Sequence, residues 1–125
     1  MKKCSNKSFN IIGNNSAGLK GKKDSFDSLL NQFSARVAII QETKLYKKGT
    51  LRFKNYSCFE KVRGQGEGGG LMTLVHNSLE PIFIPTKCVT KMSENILVVE
   101  AKIKNKSTRF LNAYGVQETA SIEEK

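Results

Sequence analysis

Two oxygen-bearing side chains, Asn15 and Glu42, stand where a short α/β unit would gather chemistry. Each follows a short apolar run, Asn15 after Phe9 to Gly13 and Glu42 after Val37 to Gln41. One supplies an amide oxygen and the other a carboxylate. A hydrated Mg²⁺ needs only one or two carboxylates and keeps several waters. Such a pair can therefore form part of a Mg²⁺ site, and Mn²⁺ would suit the same donors. The plain alternatives are a turn residue at 15 and a solvated strand end at 42.

The pair must be brought together by the elements around it. Ser8 to Gly13 reads as a short strand, and residues 14–21 as a loop of small, turn-forming residues. Asp24 is placed to cap a helix by accepting the free amides of its first turn. Phe26, Leu29, Leu30 and Phe33 recur at i, i+3, i+4 and i+7, which predicts one apolar helix face over Asp24 to Ser34. Arg36 to Gln41 is a β-branched run suited to a strand covered on both faces. Strand, helix, strand implies a right-handed βαβ crossover with parallel strands. The carboxyl ends of both strands then share one sheet edge, where open α/β sheets bind ligands.

Beyond Leu51 the pattern changes to short strands and turns. Strands are predicted over Phe53 to Glu60, Leu71 to His76, Pro81 to Pro85, Ile96 to Ile103 and Arg109 to Tyr114. The proline-bracketed one belongs at a sheet edge. Gly64 to Gly70 is a glycine-rich loop, but no Gly-Lys-Ser/Thr follows, so it is not a P-loop. The whole is an α/β chain.

The 125 residues carry a net charge of +10, from 21 Lys and Arg against 11 Asp and Glu. That excess favours a polyanion, through counterion release and long-range attraction, and nucleic acid is the commonest one. No apolar run approaches the roughly 18 residues of a membrane span. The basic start lacks the apolar stretch of a secretory signal. Cys4, Cys58 and Cys88 have neither zinc spacing nor an even count, so a reducing, intracellular setting is expected.

Four segments in order resemble motifs of the endonuclease/exonuclease/phosphatase superfamily. They are Asn15-Ser16-Ala17-Gly18-Leu19, Ile39-Ile40-Gln41-Glu42-Thr43-Lys44-Leu45, Gly68-Gly69-Gly70-Leu71 and Asn112-Ala113-Tyr114-Gly115. Their spelling looks most like endonuclease domains of non-LTR retrotransposons, over about Phe9 to Glu118. The resemblance implies a DNase I-like sandwich of mixed sheets flanked by helices, of which this chain would hold the N-terminal half. It implies Mg²⁺-dependent hydrolysis of DNA phosphodiesters. Glu42 would hold the metal, Asn15 would orient metal or phosphate, and Tyr114 would face the scissile phosphate. Independently of the resemblance, Lys20, Lys22, Lys23, Lys44 and Arg63 flank the proposed site and are candidates for phosphate contact, with solvated loop cations as the plain alternative; Asn112 is grouped with them as a nucleic-acid contact. A reverse transcriptase would follow in the full protein, and action on genomic DNA would place it in the nucleus.

The departures have chemical weight. Val116 stands where the family usually has proline, and neither a D-x-N nor an S-D-H motif is present. The single histidine, His76, does not match the family's catalytic one. Ser121-Ile122-Glu123-Glu124 has the form of a helix-opening capping box, and it is read as a domain interrupted. A half-domain should expose an apolar face, with Ile96, Val98, Ile103, Leu71 and Leu74 as candidates. The isolated chain is expected to bind DNA and to cut it negligibly. Two other readings stand beside this one: a basic nucleic-acid-binding remnant without catalysis, and a phosphatase acting on a phosphoinositide or another phosphoester.

Overall fold

The computed structural model describes residues 10–45, 47–62, 69–85 and 96–113. Among these described residues, seven strands and one helix form three layers. Strand β1 (Ile11–Asn15) leads through a 3-10 turn (Lys20–Lys22) into α1 (Lys23–Phe33) and then β2 (Val37–Gln41). Next come β3 (Tyr56–Lys61), β4 (Leu71–His76), a second 3-10 turn (Asn77–Leu79), β5 (Ile82–Ile84), β6 (Ile96–Ile103) and β7 (Lys106–Ala113). One sheet has the order β1-β2-β4-β3 and the other β5-β6-β7. β1 and β2 are parallel, as the βαβ reading requires, and the other pairings are antiparallel.

Period-two alternation explains the layering, because successive strand residues face opposite sides. Ala38, Ile40, Met72 and Leu74 join Phe26 and Leu30 of α1 in one core. Val37, Leu71 and Val75 join Leu97, Val99, Ala101 and Phe110 of the second sheet in another. β2 and β4 are thus covered on both faces, which is why they read as continuous apolar runs. β5 lies at a sheet edge, as its flanking prolines indicate.

The helix starts one residue before the expected point. Asp24 lies inside its first turn, and no side chain caps it, because the 3-10 turn feeds straight into it. Asp24 still favours the positive end of the helix dipole. The helix ends in a Schellman motif. Ser34 takes a left-handed φ of 50°, its N–H donates to Asn31 O, and Ala35 N–H donates to Leu30 O. Phe33 stays 49% exposed on the last turn.

The expected apolar face is elsewhere. Leu71 and Leu74 are buried, Val98 is nearly so, and Ile103 packs on the inter-sheet core. The two sheets bury these residues against each other and against α1. Part of the apolar exposure falls instead on the outer side of the second sheet. There Leu111 pairs with Val98 and Val98 with Ile84, and Ile82 and Leu111 are 52% and 60% exposed. Among the described residues no helix is long and apolar enough to cross a membrane.

Candidate active site

Parallel register sets the site. Asn15, the last residue of β1, is the direct partner of Gln41, the last of β2, and Glu42 follows at once. The strand therefore runs two residues further than Gly13, and Asn15 ends it rather than following it. Asn15 and Glu42 share one sheet edge.

The backbone past the strands is held by a continued ladder. Ser16 N–H donates to Gln41 O at 2.9 Å, Gly18 N–H to Glu42 O at 2.7 Å and Leu19 N–H to Thr43 O at 2.9 Å. The buried Ser16 hydroxyl lies 3.0 Å from Glu42 O and 3.2 Å from Gln41 O. From the other side, Thr43 N–H donates to Gly70 O and Lys44 N–H to Gly69 O. Asn15 Oδ1 accepts Ala17 N–H at 3.2 Å, an Asx turn that orients the amide and leaves a lone pair.

Three non-glycine residues here take left-handed φ: Ala17 at 49°, Glu42 at 55° and Lys44 at 57°. Each costs about 1 kcal/mol or more, and persists only where surrounding contacts over-determine it. Gly70 at φ 95° packs so closely that a Cβ would lie 2.5 Å from Thr43 Oγ1. The backbone at Glu42 is thus clamped by hydrogen bonds on both flanks.

The predicted nucleic-acid contacts divide. Lys20 and Lys44 are exposed beside the edge. Lys22 Nζ donates to Ser16 O at 2.6 Å, tying the loop that carries Asn15. Lys23 is diverted: it bonds Asp27 at 2.8 Å, which raises its pKa, and lies 5.1 Å over the Phe53 ring. Asn112 is a correction. It is fully buried, and so cannot contact DNA in this structure. Its Nδ2 lies 3.2, 3.0 and 3.1 Å from Ile40 O, Met72 O and Thr73 Oγ1, and its Oδ1 accepts Gln41 Nε2–H at 3.0 Å. It bolts the second sheet to the two strands under the site. Arg63 and Tyr114 lie outside the described residues.

His76 pairs with Tyr56 at the far end of β4. Five residue steps of about 3.4 Å separate it from the Leu71 end, so roughly 17 Å rules it out of this site. Its Nδ1 accepts Ser78 N–H as a cap of the 3-10 turn, and burial, then Arg36, lowers its pKa.

Among the described residues no group of three His, Cys, Asp or Glu could hold a metal. One carboxylate and one amide oxygen at a common edge suit a hard, largely hydrated cation, as a partial site. Ser16, Gln41, Thr43 and Gly70 are positioning residues whose roles the sequence did not reveal, although all lie within or beside the quoted motifs.

No protein-family model matches the sequence, and no curated protein does. Solved structures do match. The AP endonuclease LMAP from Leishmania major has a TM-score of 0.69 at 19% identity, over 86% of this chain and 40% of that one. The endonuclease domain of TRAS1, a telomere-specific non-LTR retrotransposon, has 0.63 at 21%, over 86% and 46%. The 3′ phosphatase NExo from Neisseria, bound to a product DNA hairpin, has 0.58 at 17%, over 86% and 41%. The chain spans less than half the length of these structures. The likeness establishes the fold, which is DNase I-like.

Proposed function

We propose that this chain, with its DNase I-like fold as the premise, supplies the N-terminal half of a Mg²⁺-dependent phosphodiesterase that nicks DNA. The reading rests above all on the parallel register that brings Asn15 and the clamped, left-handed Glu42 to one edge. The spelling of the four motifs and the net charge of +10 support DNA as substrate, and retrotransposon-type endonucleases as the kind.

Glu42 and Asn15 would hold the cation. When bound, Mg²⁺ supplies polarisation of a phosphoryl oxygen and stabilisation of the leaving oxygen. The residues of this chain contribute placement. Glu42 offers the anionic donor and Asn15 orients metal or phosphate. Lys20 and Lys44 attract the backbone, and the Gln41–Asn112 bond keeps the edge rigid. Tyr114 would face the scissile phosphate. A general base and a second acid would come from the other half of the domain. Acid–base help alone is worth roughly 10²–10⁴-fold, so the isolated chain should cut negligibly.

A binding module without catalysis is the second reading, favoured by the lack of a three-group metal cluster among the described residues. Plasmid nicking separates the two. Joined to a matching C-terminal half, the chain should nick with Mg²⁺ and stop with EDTA. Glu42→Gln should then lower nicking by about 100-fold or more, since even groups behind a metal ligand are worth 10–100-fold. DNA affinity should stay within about twofold, because a metal ligand and not a phosphate contact is lost. Strong nicking by the isolated chain, retained in Glu42→Gln, would put the chemistry on other residues.

A further inference from the structure

A second concave surface lies away from the Asn15–Glu42 edge. β3 is the outermost strand of its sheet, and an open groove of about 770 Å³ wraps round it. Lys48, Arg52 and Lys54 line the groove, together with Phe59 and Phe83. Phe83 projects from β5 and is 47% exposed. Among the described residues one acid, Glu60, belongs to the lining. Glu60 Oε2 accepts Gly49 N–H at 2.9 Å, and its Oε1 is buried with no hydrogen-bond partner among the described residues. The cationic loop is itself built: Thr50 Oγ1 donates to Lys47 O at 2.7 Å, and Tyr56 N–H donates to Phe53 O at 3.1 Å. Beyond Lys54 and Tyr56 a smaller polar pocket continues to Arg36, whose guanidinium donates to Ser78 Oγ at 3.3 Å.

We propose that this groove binds single-stranded nucleic acid, with phosphates along Lys48, Arg52 and Lys54 and a base stacked on Phe83. The charge fits a polyanion, since three cations face one acid, whose carboxylate accepts Gly49 N–H at the groove's own wall. The exposed aromatic selects the kind of polyanion. Cationic grooves with aromatic platforms hold single strands by stacking that tolerates any base. A duplex hides the faces of its bases against each other, so it could use the cations and not Phe83. The groove shares no residue with the Asn15–Glu42 site, so the inference stands apart from the nicking reading and would survive its failure.

Fluorescence anisotropy of the 125-residue chain tests this, with a labelled oligothymidylate of about 12 nucleotides and a duplex of the same length. Phe83→Ala should weaken oligothymidylate binding about tenfold, the scale of one lost stacking contact, and leave duplex binding within about twofold. Phe83→Trp should retain the affinity, which excludes a general folding defect. Arg52→Ala should weaken binding and lower the salt slope by about 0.7. Lys104→Ala, an equal charge loss in the distant β6–β7 turn, should change neither. Three results would overturn the proposal: full affinity in Phe83→Ala, an equal loss for duplex, or displacement of the oligonucleotide by polyglutamate as readily as by unlabelled oligothymidylate.

Discussion

Replacing Gly70 with alanine should destabilise the protein more than the same change at Gly13, Gly18, Gly21 or Gly49. The reasons are two and independent. The residue sits at φ 95°, where a side chain is strained, at about 1–3 kcal/mol. The new Cβ would also stand 2.5 Å from Thr43 Oγ1 and 3.3 Å from Lys44 N. Thr43 is 1% exposed and cannot swing away, and Lys44 N is backbone bonded to Gly69 O. Overpacking of that kind adds about 1–3 kcal/mol. The sum is about 2–6 kcal/mol, or roughly 8–24 °C in melting temperature at about 4 °C per kcal/mol. Gly13→Ala is the matched control, because nothing lies within 4 Å of its Cβ and its φ is ordinary. Gly18→Ala should fall between the two, with the strain of φ 101° but only an ordinary 3.7 Å contact to Lys44 Cδ. Thermal denaturation followed by circular dichroism gives the ranking. A melting point for Gly70→Ala within about 2 °C of Gly13→Ala would refute the reasoning, since neither strain nor clash would then be present.

Asn112→Ala should cost about 2–4 kcal/mol in urea denaturation, because three buried groups and one part-buried group lose a partner at once; a loss under about 0.5 kcal/mol would mean the bridge is not formed. Cys58 and Tyr56 have pKa values raised chiefly by burial, so the fold favours their neutral forms. The stability this contributes is fully present below the ordinary values of 9.0 and 10.0 and is lost as pH rises through the folded values. The melting temperature should therefore fall from about pH 9 upward, and less steeply in Cys58→Ala. Leu111→Asp changes a 60%-exposed residue on the outer face of the second sheet. It should leave the chain's own melting point within about 2 °C but, on the proposed function, reduce nicking in the chain joined to a matching C-terminal half that packs there; unchanged nicking would move the contact elsewhere.

Elements were legible where local pattern and tertiary environment agree. Leu71 to His76 and Ile96 to Ile103 match the observed strands end for end, because runs rich in apolar and β-branched residues, bounded by turn residues, admit few registers. The start of β3 at Tyr56 was not legible. Phe53 is apolar for a different reason: it packs edge-on to Phe26 at 6.1 Å from a loop. The exposed face was misplaced because a single strand pattern does not say which neighbour covers which side. Leu74 faces the helix and Leu71 the second sheet, and both are therefore buried.

At the site, the difference between what was legible and what was not follows from the reach of each side chain. Asn15 and Glu42 were placed by backbone direction alone, since parallel strands must end on the same edge whatever surrounds them. Asn112 could not be placed in that way. On an exposed strand end its amide would read a ligand; buried between two sheets it must satisfy its own donors and acceptor, and it does so on Gln41, Ile40, Met72 and Thr73. Lys23 also has a local partner, Asp27, an i, i+4 neighbour that an early helix start brings within reach. A polar residue near a site is thus informative only after its competitors for hydrogen bonds are known. By that measure Lys20 and Lys44, exposed beside the edge, are better candidates for touching a phosphate than Lys23 or Asn112.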